Sequence, residues 1–146
     1  MKSKLIGPGG ETTYVLVFDE GDEVSSGLLK FAKENKLGAC QITGIGGFRE
    51  VTLGYFELDK KAYKKIPVRE QVEVLSLAGD ITHENDEPKI HAHVVVGTSE
   101  GAALGGHLIE AYVRPTLEVM VKESPRHLHR VFDESVGLAL IRLRLG

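Results

Sequence analysis

Six histidines, at positions 83, 91, 93, 107, 127 and 129, are the side chains most suited to chemistry in this chain. His91 and His93 form an H-x-H within Lys89 to Gly97 (KIHAHVVVG), a segment that reads as a strand. Strand side chains alternate between faces, so these two imidazoles point the same way and can converge on one ion. Ile90, Ala92 and Val94 then face the other side and can anchor the strand in a core. His107 follows Gly105-Gly106 in the glycine- and alanine-rich stretch Thr98 to Gly106, which reads as a loop. Such a loop can bring its backbone close and deliver a third ligand. Three neutral imidazoles with an open fourth position match a catalytic-type zinc site, although other divalent metals also accept imidazole. The plain alternative is a pair of ordinary strand histidines. His127 and His129 fall in a predicted helix over 125–133, where two residues span about 200° of rotation. They diverge there and, with Arg126 and Arg130, read as a solvated basic face. His83 lies in an acidic turn and is the first substitute should His107 not serve.

A hydrolytic site also needs a proton carrier, and metal-bound histidines usually lean on a carboxylate. Glu73 and Glu118 are the candidates, because each interrupts an apolar strand (VEVLSL and TLEVMV). The alternative is that both mark the polar face of a sheet. Glu110, three residues after His107, is a weaker third. Gly44-Ile45-Gly46-Gly47-Phe48-Arg49 begins like a dinucleotide fingerprint. It has Arg49 at the third glycine position and no helix after it, so no such cofactor is expected. No phosphate-binding P-loop, G-x-S-x-G elbow or H-E-x-x-H motif occurs. Cys40, in an apolar strand, reads as a small buried side chain.

The elements that must position these residues follow from periodicity and punctuation. Thr12 to Phe18 reads as a strand. Val24, Leu28, Phe31 and Ala32 recur at helical spacing, predicting a helix over 23–36 capped by Asp22 and closed near Gly38. Cys40 to Ile45 and Val51 to Leu58 look like hairpin partners about the glycine run. Asp59 to Lys65 is a lysine-rich turn or edge. Gln71 to Ala78 reads as a central strand, Asp80 to Pro88 as an acidic turn and Pro115 to Lys122 as a strand. Ser124-Pro125 signals the start of the short C-terminal helix, and Val136 to Leu145 ends the chain as a strand. The expectation is one α+β domain over residues 1–146, with a largely antiparallel sheet of about seven strands, one main helix and that short C-terminal helix.

Composition narrows the function classes. Among 146 residues, 42% are hydrophobic and 27% charged, a globular balance. The net charge of −3 argues against a surface built mainly for nucleic acid or anionic lipid. A lone cysteine suits a reducing compartment, so a cytoplasmic location is expected. The first ten residues lack the apolar core of a secretory signal, and no apolar run approaches the roughly 20 residues that span a bilayer.

Taken together, several stretches resemble the PPC (or PCC) domain, the plant and prokaryote conserved domain. They are Gly44-Ile45-Gly46, Val72 to Gly79, His91-Ala92-His93, Gly105-Gly106-His107-Leu108 and Thr116-Leu117-Glu118-Val119, in the family's order between about Thr12 and Lys122. The resemblance implies an α+β fold, a homotrimer and, as in prokaryotic members, a metal held by His91, His93 and His107. In plants the domain accompanies AT-hooks, whose Arg-Gly-Arg-Pro core contacts DNA. No such core exists here, and the only Arg-Pro is Arg114-Pro115. The plant motif Gly-Arg-Phe-Glu-Ile-Leu aligns with Glu70 to Leu75, without its arginine and aromatic. Three functions compete: a metal-binding protein, with zinc preferred and a small-molecule or hydrolytic role; a DNA-binding or transcription-associated protein by family analogy; and a trimeric assembly module.

Overall fold

Val24, Leu28, Phe31 and Ala32 line one face of a helix, α1 (Val24–Glu34), and all four are buried against the sheet. Its N-cap is Glu23, not the expected Asp22: the Glu23 carboxylate accepts hydrogen bonds from the Ser25 and Ser26 amides at 3.0 and 2.6 Å. Asp22 instead accepts from the Asp19 amide at 3.0 Å. Past the helix, Lys36 takes the left-handed conformation (φ 55°) that the sequence assigned to Gly38.

The computed structural model describes residues 1–7, 10–124 and 128–142. Its other regular elements are nine strands, β1 (Lys2–Gly7), β2 (Thr12–Phe18), β3 (Ala39–Glu57), β4 (Ala62–Val68), β5 (Val72–Glu84), β6 (Glu87–Gly97), β7 (Ala103–Glu123), β8 (His129–Asp133) and β9 (Leu138–Ile141), with a short 3₁₀ turn at Leu58–Lys60. The backbone order runs β1-β2-β7-β3-β5-β8-β9, with β4 beside β3 and β6 between β5 and β7. Because β6 pairs with β5 on one side and with the start of β7 on the other, β3, β5, β6 and β7 close into a ring. Among the described pairs only β5 with β8 is parallel.

Two expectations about elements are corrected here. About seven strands become nine: β1, β4 and β8 form where no strand, a lysine-rich turn or edge and a helix were expected, while the two strands expected at 40–45 and 51–58 are one. β3 runs through Gly44 to Gly47 without a hairpin, and the pairing register slips there as a bulge. A Cβ on Gly46, which has φ 152°, would strike Thr116 O, and one on Gly47 would strike Arg114 O. Those glycines let β3 and β7 touch while both bend. The C-terminal helix is also absent as described: residues 129–133 form β8, joined to β9 as a hairpin, whereas 125–127 lie outside the described residues. The final strand spans Leu138–Ile141, and the expected extension over 143–145 also lies outside them.

The core is the inner face of this bent sheet under α1. Leu16 and Phe18 come from β2, Ile42, Phe48 and Leu53 from β3, Leu77 and Ile81 from β5, and Leu117 and Val119 from β7, each 0 or 1% exposed. Burying side chains of this size contributes about 1.5–3 kcal/mol each. Cys40 belongs to this core, and burial pushes its thiol up to about 12.

Candidate metal centre

The β5–β6 hairpin sets the geometry. Asn85 and Asp86 both adopt positive φ (51° and 63°), as a two-residue primed turn requires. That turn pairs Glu84 with Glu87, and the register runs on unbroken until Asp80 lies opposite His91 and Ala78 opposite His93. Ala92 and Val94, 3 and 1% exposed, face the core as expected. His91 and His93 therefore share the outer face. The third histidine arrives differently from the expectation. His107 is on strand β7, not in a loop, and pairs directly with His93 across the β6–β7 ladder. Gly105 and Gly106 are strand residues too, and a Cβ on Gly106 would lie 2.8 Å from Gly54 O. The loop itself is only 98–102.

The three rings converge. Centroids are 5.1 Å apart for His91 and His93, 5.3 Å for His91 and His107, and 5.6 Å for His93 and His107. One nitrogen from each lies within 4.8 Å of the others. A zinc–nitrogen bond of about 2.0–2.1 Å sets tetrahedral ligand nitrogens about 3.4 Å apart, so modest side-chain adjustment closes the site. His107 Nδ1 is buried without a hydrogen-bond partner among the described residues. An orphaned buried polar atom costs about 1–3 kcal/mol, and an ion is one way to satisfy it. Burial, with His91 and His93 beside it, lowers the His107 pKa to about 4. Burial and then the Arg130 charge also lower that of His91, with Asp80 opposing. Both imidazoles are thus neutral near pH 7, the form that ligates a metal.

Around the triad are residues the sequence did not single out. Arg130, expected on a solvated basic face, is only 9% exposed. Its Nη2 donates to both Asp80 carboxylate oxygens at 2.8 and 2.9 Å, its Nε to Thr82 Oγ1 at 2.8 Å and its Nη1 to Ala139 O at 2.9 Å. The same Nη2 is 3.3 Å from His91 Nδ1, and Asp80 Oδ2 is 3.9 Å from that nitrogen. A guanidinium can only donate, so its contact requires an unprotonated Nδ1. Ligation through Nε2 would put the proton on Nδ1 and break that contact, and Asp80 Oδ2, at 3.9 Å, would accept it only after the imidazole turned. Tyr63 on β4 stacks on the His107 ring, 4.6 Å between centroids. No spacing rule links residues 63, 80, 107 and 130, and Asp80 was expected in an acidic turn over 80–88 rather than on a strand opposite His91.

The other candidates lie elsewhere. Glu73 is exposed opposite Gly97, and Glu118 is exposed between Val17 and Ile45. Glu110 accepts a hydrogen bond from the Tyr112 hydroxyl at 3.0 Å. His83 sits on β5 beside His129, with rings 5.8 Å apart, rather than in the triad. His127 lies outside the described residues. No helix among the described residues is long and apolar enough to cross a membrane.

Comparison with known proteins agrees with this architecture. The chain is 34% identical to a metal-containing protein from Archaeoglobus fulgidus, covering 90% of this chain and 93% of that one at a TM-score of 0.83. It is 34% identical to a plant- and prokaryote-conserved protein from Pyrococcus horikoshii, covering 99 and 97% at a TM-score of 0.84. A candidate DNA-binding protein from Bacteroides thetaiotaomicron is 29% identical, covering 96% of both chains at a TM-score of 0.86. Curated proteins give no significant match. Residues 7–125 match the Plants and Prokaryotes Conserved (PCC) domain, and on that match the chain belongs to the PCC domain family.

Proposed function

We propose that this protein binds a divalent metal, zinc by preference, through His91, His93 and His107. The observation that carries the reading is the convergence of three imidazoles from adjacent strands around a buried, unpartnered His107 nitrogen. The metal-containing relative from Archaeoglobus fulgidus supports it. Asp80, opposite His91 in the hairpin register and 3.9 Å from its Nδ1, would orient the ring once that nitrogen carries the proton, a role for which the sequence offered Glu73 and Glu118. When bound, the ion supplies Lewis acidity at its open position. Tyr63 packs one side of the site and Arg130 holds Asp80 in place.

Elemental analysis of untagged protein tests this directly. About one zinc per chain is expected, with loss in His91→Ala. Protein that stays metal-free after incubation with zinc, or a His91→Ala, His93→Ala, His107→Ala variant that keeps stoichiometric metal, contradicts the reading.

A second reading, DNA association, draws on the relatives described as candidate DNA-binding proteins. The lysine cluster offers it little support. Lys60 is paired with Glu57 at 2.9 Å, and Lys61 donates to Glu134 O at 2.6 Å, so two of the four lysines at 60, 61, 64 and 65 are engaged. Sequence-specific retardation of DNA at about 150 mM salt favours DNA binding, whereas binding that fades with salt is ordinary electrostatics. The homotrimer and the cytoplasmic location remain part of the proposal. Exposed Ile45 and Leu75 are suited to contact between copies. A trimeric mass by light scattering, lost on metal removal without any ligand binding, favours an assembly role.

A further inference from the structure

Beside the triad, a cavity of about 290 Å³ lies between His91, His107 and the β8–β9 hairpin. Its walls are largely hydrocarbon: Ile90 from β6, Phe132 from β8, and Leu138 and Leu140 from β9. Tyr63 closes another side. The volume compares with the roughly 150 Å³ that accommodates benzene, so it suits a molecule of roughly ten heavy atoms.

Charge around the cavity selects the ligand. Its two cations and their two carboxylates cancel. Arg130 is committed to Asp80, and Lys89 Nζ lies 3.1 Å from Glu84 Oε2. The three imidazoles that would hold the metal are neutral ligands. Among the described residues no carboxylate is then left free to offset the two positive charges of a divalent ion bound in this half-buried site. A low-dielectric surrounding strengthens its pull on an anionic oxygen. The apolar walls reward a hydrocarbon body on the same molecule.

We propose that this cavity is the binding site of a small organic monocarboxylate with an apolar body, its carboxylate turned toward the three-histidine centre and its body against Phe132, Leu138 and Leu140. The inference rests on the metal-binding reading above. Benzoate, acetate and benzyl alcohol serve as probes of the cobalt(II)-loaded full chain, read through the visible cobalt spectrum. Benzoate is expected to perturb the spectrum saturably, with a Kd at least tenfold below that of acetate, and benzyl alcohol to leave it unchanged. Phe132→Asp, at a position 59% exposed and hence outside the core, is expected to bring the benzoate Kd to within threefold of acetate while cobalt stays bound. Cobalt binding with no preference for benzoate over acetate, or a preference untouched by Phe132→Asp, overturns the proposal. Failure to bind cobalt at all refutes the metal reading instead.

Discussion

Asp80 shows how one side chain acquires its role from its neighbours. It stands opposite His91 in the hairpin register and also receives the Arg130 guanidinium. Arg130 is nearly buried while Asp80 is half-exposed, so removal of the carboxylate leaves a charge in a dry setting with no counterpart. Breaking a fully buried pair costs about 3–5 kcal/mol. The partial exposure of Asp80 reduces this, and Asp80→Ala is expected to destabilise the fold by about 2–3 kcal/mol. Arg130→Met, which replaces the buried charge by an apolar chain, is expected to cost less. Urea unfolding of both variants checks the order, and equal stabilities would mean that the pair behaves as a surface contact. Zinc affinity should fall roughly 10–100-fold in Asp80→Ala if that carboxylate orients His91.

Strand pairing decides whether the histidines meet. Gly79, on β5 next to Asp80, faces the backbone of β6 so closely that an added Cβ would strike His91 O and sit 2.7 Å from Ala92 Cα. These are backbone atoms, so relief requires β6 to shift. Gly79→Ala is therefore expected to cost about 1–3 kcal/mol, as overpacking does, and to weaken zinc retention by displacing His91. Denaturant midpoints together with zinc titration check this; a variant of unchanged stability and affinity would show that the two strands have slack. The same scale explains two misplaced turns. Glycine runs signal loops because glycine weakens strands. At Gly44 to Gly47 and at Gly105-Gly106 they instead permit close approach between strands, at a bulge in the first case and beside β3 in the second.

For the whole molecule, the ring of β3, β5, β6 and β7 makes the centre a product of folding. Its three histidines lie on two strands separated in sequence by the loop 98–102, and a preformed metal site rarely exists in an unfolded chain. A metal that binds only the folded state stabilises it by mass action, about 2.7 kcal/mol at a hundredfold excess over Kd. For a chain of this length the melting temperature is expected to rise by roughly 5–10 °C with saturating zinc and to return with chelator. Calorimetry with and without EDTA checks this, and a Tm indifferent to both contradicts a metal held by the native triad.

The sequence by itself determined the local features: the strand 12–18, the amphipathic helix and the shared face of His91 and His93, because alternation and 3.6-residue periodicity act within a few residues. It also placed His107 as the third partner, through the glycine pair before it and the family pattern around it. It could not tell that this glycine pair lies within a strand, that Arg130 turns inward or that residues 129–133 form a strand, paired with the end of β5 and with β9, rather than a helix. Those outcomes depend on long-range partners: Asp80, Thr82 and the Ala139 carbonyl offer Arg130 hydrogen bonds that no local signal at 124–133 records. Only the tertiary structure brought Tyr63, Asp80 and Arg130 to the triad, because strand order and register, not spacing along the chain, decide which side chains share a face.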